Sequence, residues 1–353
     1  FDPDRLEIKG PEVPVVEGVM QAINEIDSAR NSGAGQFGIS YTGSLVYASG
    51  GIFPDDDVQL VWVDRQGKTE PMASFGKRPV SCVRLSPDGQ KLVYATTGKN
   101  SNMWMYDLAR GSSVKLTSDG RVGGFCLTPD GAQLTFGYST AGLRNIFWMP
   151  WHRSGSIGRL TTSNYNQHAG SWSPDGRFLA FLENGPTNRD IWILRMDVRK
   201  AEPFLATRSD EGFPEFSPDG LWLAYASNES GRWEVYVTPF PGPGQKIPIS
   251  IGGGLAPLWA RNGRELFYWN PDYTKLMVAE TVTHPEFSAG TPRELFEFRG
   301  LDTLPIRNHD ITPDGRRFLI PQECETKPME VTRLNIVLNW FEELDRLCPT
   351  GKK

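Results

Sequence analysis

Four cysteines and four histidines are all that this 353-residue chain has of the side chains that most often bind transition metals. The cysteines, Cys82, Cys126, Cys324 and Cys348, are scattered and form no C-x-x-C pair, which argues against a structural zinc site. No run of 18 apolar residues occurs, so no membrane span is predicted. Because Phe1–Arg5 is polar from the start, we expect no signal peptide and interpret the chain as an excised domain or a mature product.

A basic surface is also missing, since the formal net charge is −5. Proteins that bind nucleic acid usually carry a basic face, so nucleic acid is not an expected partner. Glycine (37) and proline (27) are abundant but follow no collagen-like period, which is typical of short strands joined by tight turns. The 11 Trp, 10 Tyr and 19 Phe suit half-buried strand surfaces.

A repeated turn motif organises the chain. Its glycines are spaced 46, 42, 45, 44, 43 and 52 residues apart, the size of one propeller blade. Proline, Asp or Asn, and glycine supply the backbone angles of a tight turn, so we interpret the repeated Asp as structural rather than catalytic. The seven anchors are Gly38-Ile-Ser-Tyr-Thr-Gly43, Arg84-Leu-Ser-Pro-Asp-Gly89, Cys126-Leu-Thr-Pro-Asp-Gly131, Ser171-Trp-Ser-Pro-Asp-Gly176, Glu215-Phe-Ser-Pro-Asp-Gly220, Leu258-Trp-Ala-Arg-Asn-Gly263 and Asp310-Ile-Thr-Pro-Asp-Gly315.

The residues that lead into an anchor form one short strand, and short apolar runs after the anchor form the others. A full repeat therefore has four antiparallel strands. The sequence therefore predicts an all-β fold, a seven-bladed β-propeller forming a single domain over residues 1–353. The predicted blades are 33–75, 76–118, 119–162, 163–207, 208–251, 252–299, and 305–339 together with 12–18.

Closure of the ring needs a strand from the other end of the chain. The last repeat supplies only Asn308–Thr312, Arg317–Pro321 and Arg333–Asn339. We expect Val13–Val16 to add the outer strand, because the N-terminal residues resemble the end of the sixth blade. Residues 339–347 form an amphipathic pattern that predicts a short C-terminal helix, either a packing cap or a partner-binding helix.

The Ser-Pro-Asp-Gly anchors resemble those of TolB-like, WD-repeat-like propellers. Several segments are similar to the propellers that follow the kinase and membrane segments of many bacterial eukaryotic-like Ser/Thr protein kinases, namely Leu60–Gly67, Gly231–Val237, Gly263–Tyr268 and Val337–Glu343. The resemblance implies a periplasmic or otherwise extracytoplasmic sensing module whose parent protein can be membrane-anchored. It carries over no catalytic residue, and the chain has neither the Gly-rich loop nor the His-Arg-Asp motif of a kinase.

Two sets of loops share one face of a propeller: those that enter the innermost strands and those that join the second and third strands. The anchor turns lie on the other face. We expect a ligand site where the first two sets converge on the central channel. The candidate ligand-binding residues are Gln36, Arg78, Asn166, His168, Glu211, Trp269, Asp272, Tyr273 and His309.

Three of these candidates suit a metal. His168, His309 and Glu211 form a His/His/carboxylate set of the type that binds a divalent transition metal, here in the central channel. Alternatively they are solvated loop residues or hydrogen-bonded side chains that fill the channel, and the fold requires no cofactor. Trp269 and Tyr273 suit stacking on a saccharide or gripping a peptide, or else ordinary blade packing.

Two functions remain open at this point. The leading hypothesis is a non-catalytic propeller that binds a protein, a small molecule or a saccharide at its channel face, as a sensor or interaction module. The alternative is a metal-assisted hydrolase or lyase of the lactonase, phosphotriesterase or oligogalacturonate lyase type, in which a channel metal activates water.

Overall fold

The computed structural model describes residues 15–20, 35–49, 57–96, 101–140, 142–151, 156–242, 244–301, 305–324 and 333–347. The chain divides into two compact units, where the sequence predicted one domain. The first unit combines Phe1–Asp55 with Thr326–Lys353, and the second is Asp56–Glu325.

The first unit contains a small antiparallel sheet. Its strands β1 (Phe37–Ile39), β2 (Leu45–Ala48) and β28 (Leu334–Val337) pair in the order β1-β2-β28. The turn between β1 and β2 is the first anchor of the sequence, and Gly43 takes the positive φ of +80° that this turn requires. The first anchor is therefore a hairpin turn, but its hairpin lies outside the second unit.

The first unit also contains the predicted C-terminal helix. Helix α1 (Trp340–Leu347) begins after Asn339, which confirms the short helix predicted from the amphipathic pattern over 339–347. Trp340 is buried, and its backbone N–H donates to the carbonyl of Gly43 at 2.6 Å. Among the helices of the described residues, none is long and apolar enough to cross a membrane.

Five antiparallel blades follow one another along the second unit, four of them with four strands and the fifth with five. They fall within five of the predicted blades, from 76–118 to 252–299. Their strands, from the innermost outward, are β5 (Cys82–Leu85), β6 (Lys91–Ala95), β7 (Met103–Asp107) and β8 (Ser112–Lys115); β9 (Val122–Leu127), β10 (Gln133–Thr140), β11 (Leu143–Pro150) and β12 (Gly158–Arg159); β13 (Gln167–Trp172), β14 (Phe178–Asn184), β15 (Arg189–Arg195) and β16 (Lys200–Leu205); β17 (Glu211–Phe216), β18 (Trp222–Ser227), β19 (Glu234–Pro239) and β20 (Ile247–Pro248); and β21 (Leu255–Trp259), β22 (Glu265–Trp269), β23 (Lys275–Val282) and β25 (Arg293–Glu297), with the short strand β24 (Ser288–Ala289) also on β23.

The sixth blade joins the two ends of the second unit. Its order is β26 (Asp310–Ile311), β27 (Arg317–Glu323), β3 (Val58–Asp64) and β4 (Thr69–Pro71). Strands β27 and β3 pair without a slip over their full lengths, from Arg317 opposite Asp64 to Glu323 opposite Val58. The ring of the second unit therefore has six blades among the described residues.

The predicted seventh blade is wrong. Strand β28, expected beside β27, instead pairs with β2 from Leu45 opposite Val337 to Ala48 opposite Leu334. The edge of β27 is occupied by β3, a longer partner than the four residues of Val13–Val16. Of that segment, Val15 and Val16 are not in a strand, and the first two residues lie outside the described residues.

The anchor turns hold their Asp side chains for a structural reason. In the turn after β17, the hydroxyl of Ser217 donates to Asp219, and the N–H of Leu221 donates to the same carboxylate oxygen at 3.0 Å. Gly220 has a φ of +74°. These bonds satisfy the turn's backbone, as expected for a turn Asp.

Aromatic packing completes the ring. Phe318 of β27 is fully buried and meets Phe267 of β22 edge to face, with ring centroids 4.9 Å apart. Phe296 of β25 contacts the same ring at 5.5 Å. The closing blade is thus packed against the blade before it as well as hydrogen-bonded within itself.

Truncating this side chain tests the six-bladed closure. We expect Phe318→Ala to lower the free energy of unfolding by about 3–5 kcal/mol, because it leaves a cavity between two blades. Phe37→Ala is the matched control, since Phe37 lies in the first unit with 58% of its surface exposed. Urea unfolding of both variants measures the difference, and equal small losses would contradict the closure described above.

Candidate functional site

A cavity of about 340 Å³ lies at the anchor-turn face of the ring. Every blade contributes the end of its innermost strand to the wall. The side chains just before the turns alternate in direction along each strand. One side chain of each strand faces the channel, and the side chain that follows it packs beside the channel. These two sets of side chains are Arg84, Cys126, Ser171, Glu215, Leu258 and Asp310, and Leu85, Leu127, Trp172, Phe216, Trp259 and Ile311.

A buried ion network crosses the channel. The guanidinium of Arg307 reaches both carboxylate oxygens of Glu215 at 3.3 Å and Asp310 at 3.4 Å. Asp310 in turn accepts the backbone N–H of Leu85 at 2.8 Å and that of Ile311 at 2.9 Å. Burial raises the pKa of Glu215, although the nearby arginines oppose that rise. The network links the closing blade to two others.

Arg84 stands beside this network without a carboxylate partner. Its Nη1 donates to the carbonyls of Val83 at 2.7 Å and Arg307 at 2.8 Å. No described carboxylate lies within ion-pair distance of it, and no described residue accepts a hydrogen bond from its Nε or Nη2. The side chain is 7% exposed and lines the cavity.

The segment 305–307 closes the inner end of the cavity. Ile306 lies so close to Gly124 of β9 that a Cβ there would come within 2.2 Å of its Cδ1. A residual space of only about 10 Å³ remains between this segment and residues such as Gly170 and Phe213. Because Arg307 also contacts Glu215, the described segment 305–307 reaches across the channel.

The predicted ligand-binding residues do not form one site. Gln36 belongs to the first unit. Arg78 is occupied within its blade, where it donates to the hydroxyl of Tyr94 at 2.9 Å and lies 4.2 Å from the ring centre of Phe75. Asn166 accepts the N–H of Arg144 at 2.9 Å, which fixes its loop.

The predicted aromatic site is blade packing. Trp269 and Tyr273 are 1% and 3% exposed, so neither ring can stack on a saccharide or a peptide. Asp272 between them in the sequence is exposed. The Trp269 Nε1–H donates to Nδ1 of His309 at 3.2 Å. Both rings pack within the protein and contact each other, with ring centroids 6.1 Å apart.

The predicted metal ligands are buried apart. Among the residues that the structure describes, no three His, Cys, Asp or Glu side chains form a group able to hold a metal ion. Burial lowers the pKa of His168 to about 3 and that of His309 well below its usual value, in both cases with help from nearby arginines. Both rings are neutral at physiological pH.

Sequence reasoning missed the cavity residues, although the signal was present. Arg84, Glu215 and Asp310 are charged residues at a position where other anchors have Cys126 or Leu258. A charge at a buried position of a repeated strand indicates either an ion network or a ligand site.

No family model matches the chain. An uncharacterised protein of Agrobacterium fabrum is 25% identical over 258 residues, which cover 66% of this chain and 81% of that protein. An uncharacterised peptidase of Bacillus subtilis is 24% identical over 189 residues, but these cover 41% of this chain and only 29% of the peptidase.

Solved structures share the propeller fold. A protein described as a TolB from Agrobacterium tumefaciens superposes with a TM-score of 0.64 at 18% identity, covering 77% of this chain and 99% of that one. TolB from Acinetobacter baumannii gives a TM-score of 0.52 at 17% identity, covering 78% of this chain and 65% of that one. The fold is that of a TolB-like β-propeller.

The TolB-like propeller also buries a carboxyl group outside this cavity whose pKa is raised. Glu211 of β17 is 1% exposed, accepts from the Thr207 hydroxyl at 2.7 Å, and leaves its Oε2 without a described partner. Burial raises its pKa to about 7, and the negative charges of Asp190 and Asp210 add to the rise. The folded protein therefore holds this proton more tightly than the unfolded chain does.

A pH-dependent stability follows from Glu211. Its usual pKa is 4.5, so the stability it contributes is complete below that value and is lost as pH rises through about 7. We expect wild type to lose on the order of 1–2 kcal/mol more than Glu211→Gln between pH 4.5 and pH 8. Urea unfolding at several pH values measures this, with the exposed Glu286→Gln as control. Parallel pH profiles for wild type and Glu211→Gln would contradict the assignment.

Proposed function

We propose that this TolB-like propeller is a binding module and that its ligand enters the cavity at the anchor-turn face. The observation that carries the proposal is the cavity itself: about 340 Å³, lined by all six blades and closed at its inner end by 305–307. Its volume lies within the range of small-molecule sites, which combine apolar walls with a few oriented polar groups.

The wall of the cavity likewise combines apolar surface with a few polar groups. Trp172 and Trp259 use their indole N–H groups inside the protein, donating to the Thr135 hydroxyl at 3.0 Å and to the Glu215 carbonyl at 3.2 Å. Their rings therefore offer carbon surface to the cavity. The charged groups of the wall include Arg84 and the ion network of Arg307, Glu215 and Asp310.

The place of the site differs from the one the sequence suggested. The loop-face residues are used for blade packing and loop fixation, whereas the anchor-turn face holds both space and charged groups. The sequence resemblance to kinase-associated propellers supports a sensor or interaction role in an extracytoplasmic compartment. Its ligand would then be a small molecule or a short segment of a partner protein inserted into the cavity.

Closing the mouth of the cavity tests the proposal. Arg261 occupies the proline position of its anchor, is exposed, and lines the mouth. A mixture of neutral, anionic and cationic fragments, observed by saturation-transfer NMR, should contain binders to wild type that Arg261→Trp loses. Arg264→Trp introduces the same side chain three residues away, outside this cavity, and should keep those binders.

Two outcomes would contradict the binding proposal. One is that no fragment binding depends on Arg261→Trp while Arg264→Trp behaves identically. The other is turnover of lactones, phosphotriesters or uronates that is abolished by Glu211→Gln or by a substitution at His168, which would favour the enzymatic alternative at the loop face.

A further inference from the structure

Arg84 is a buried guanidinium with one unused edge. A guanidinium has five N–H donors, and both protons of Arg84 Nη1 are accounted for by the carbonyls of Val83 and Arg307. The Nε and Nη2 protons have no acceptor among the described residues. These protons form the edge of arginine that binds a carboxylate with two parallel hydrogen bonds.

Arg84, unlike Arg307, has no described carboxylate in direct contact with it. Arg307 is matched by Glu215 and Asp310, which it contacts directly. Arg84 has no ion pair with a described residue although it is 7% exposed. Taking an arginine out of water without a partner is costly, so a ligand that brings a negative charge to this edge is favoured.

The remainder of the cavity limits what carries that charge. Phe216, Trp172 and Trp259 also line the cavity and give part of its wall an apolar surface. The carboxylates of Glu215 and Asp310 line the same cavity. Their negative charge disfavours a small multiply charged ion such as phosphate.

We propose that the cavity recognises a single carboxylate on an apolar body, as at the C-terminus of a peptide, and that the Nε/Nη2 edge of Arg84 binds it. The apolar body lies against the indole and phenyl rings of the wall. This inference rests on the proposed binding function and assigns the chemistry of its ligand.

Matched probes test the charge of the ligand. N-acetylphenylalanine and its primary amide differ only in the carboxylate, and isothermal titration or NMR titration gives their affinities for the full chain. Because a hydrogen bond to a charged group contributes strongly, we expect the carboxylate to bind about 10- to 100-fold more tightly than the amide. N-acetylglutamic acid N-methylamide separates a side-chain carboxylate from a terminal one, and it should bind more weakly than N-acetylphenylalanine.

Variants test the role of Arg84. Arg84→Gln should remove the preference for the carboxylate over the amide, whereas Arg84→Lys should restore part of it because it keeps the charge without the paired donors. Arg261→Gln removes a charge from the exposed mouth and should lower the affinity for the carboxylate probe by less than about fivefold. Glu215→Gln should tighten carboxylate binding, since it removes a negative charge from the same cavity.

The outcomes separate this inference from the proposed function. Equal affinity of carboxylate and amide, with both lost in Arg261→Trp, would overturn the carboxylate assignment and leave the binding cavity in place. Binding of neither probe, together with no fragment sensitive to Arg261→Trp, would overturn both. Tighter binding of inorganic phosphate than of N-acetylphenylalanine would also overturn the inference. If Arg84→Gln does not fold, the affinities of wild type for N-acetylphenylalanine and its primary amide still test whether the cavity prefers a carboxylate.

Discussion

The pairing of β27 with β3 is the constraint on which the second unit depends. It joins residues 58–64 to residues 317–323, so the last anchor hairpin and the first outer strands become one blade. Without that ladder, β27 would have an open edge of seven residues, which is the kind of edge that aggregates. The buried Phe318 adds side-chain packing to the backbone pairing, so closure is fixed both within the sheet and between blades.

The residues just before the closing blade help to form the cavity. Ile306 lies against Gly124 and Arg307 against Glu215, so these residues reach across the channel. Arg307 also lines the cavity, together with Asp310 and Ile311 at the start of the closing blade. The site therefore uses both the closing blade and the segment that precedes it.

Local turn chemistry was predictable from the sequence, and closure was not. The anchors fix hairpins within a few residues, which is why five blades and the turn at Gly43 agree with the structure. The choice of partner for β27 depends on residues more than 250 positions away, and Arg333–Asn339 offered an equally apolar alternative nearby in sequence. At the site, Arg84, Glu215 and Asp310 could be identified by position in the repeat. The space they face could not, because it depends on where 305–307 crosses.

Burial explains why His168 and His309 were predicted as metal ligands and why Arg84 was not predicted as a site residue. In a sequence, His168 and His309 suggest metal ligands because imidazole binds metals well. Once buried beside arginines they remain neutral, and packing and the Trp269 N–H account for His309. Arginine keeps its charge when buried, since its pKa is far above physiological pH. Thus a buried arginine must be matched by a carboxylate, as Arg307 is, or must face a space in which one can be placed, as Arg84 does.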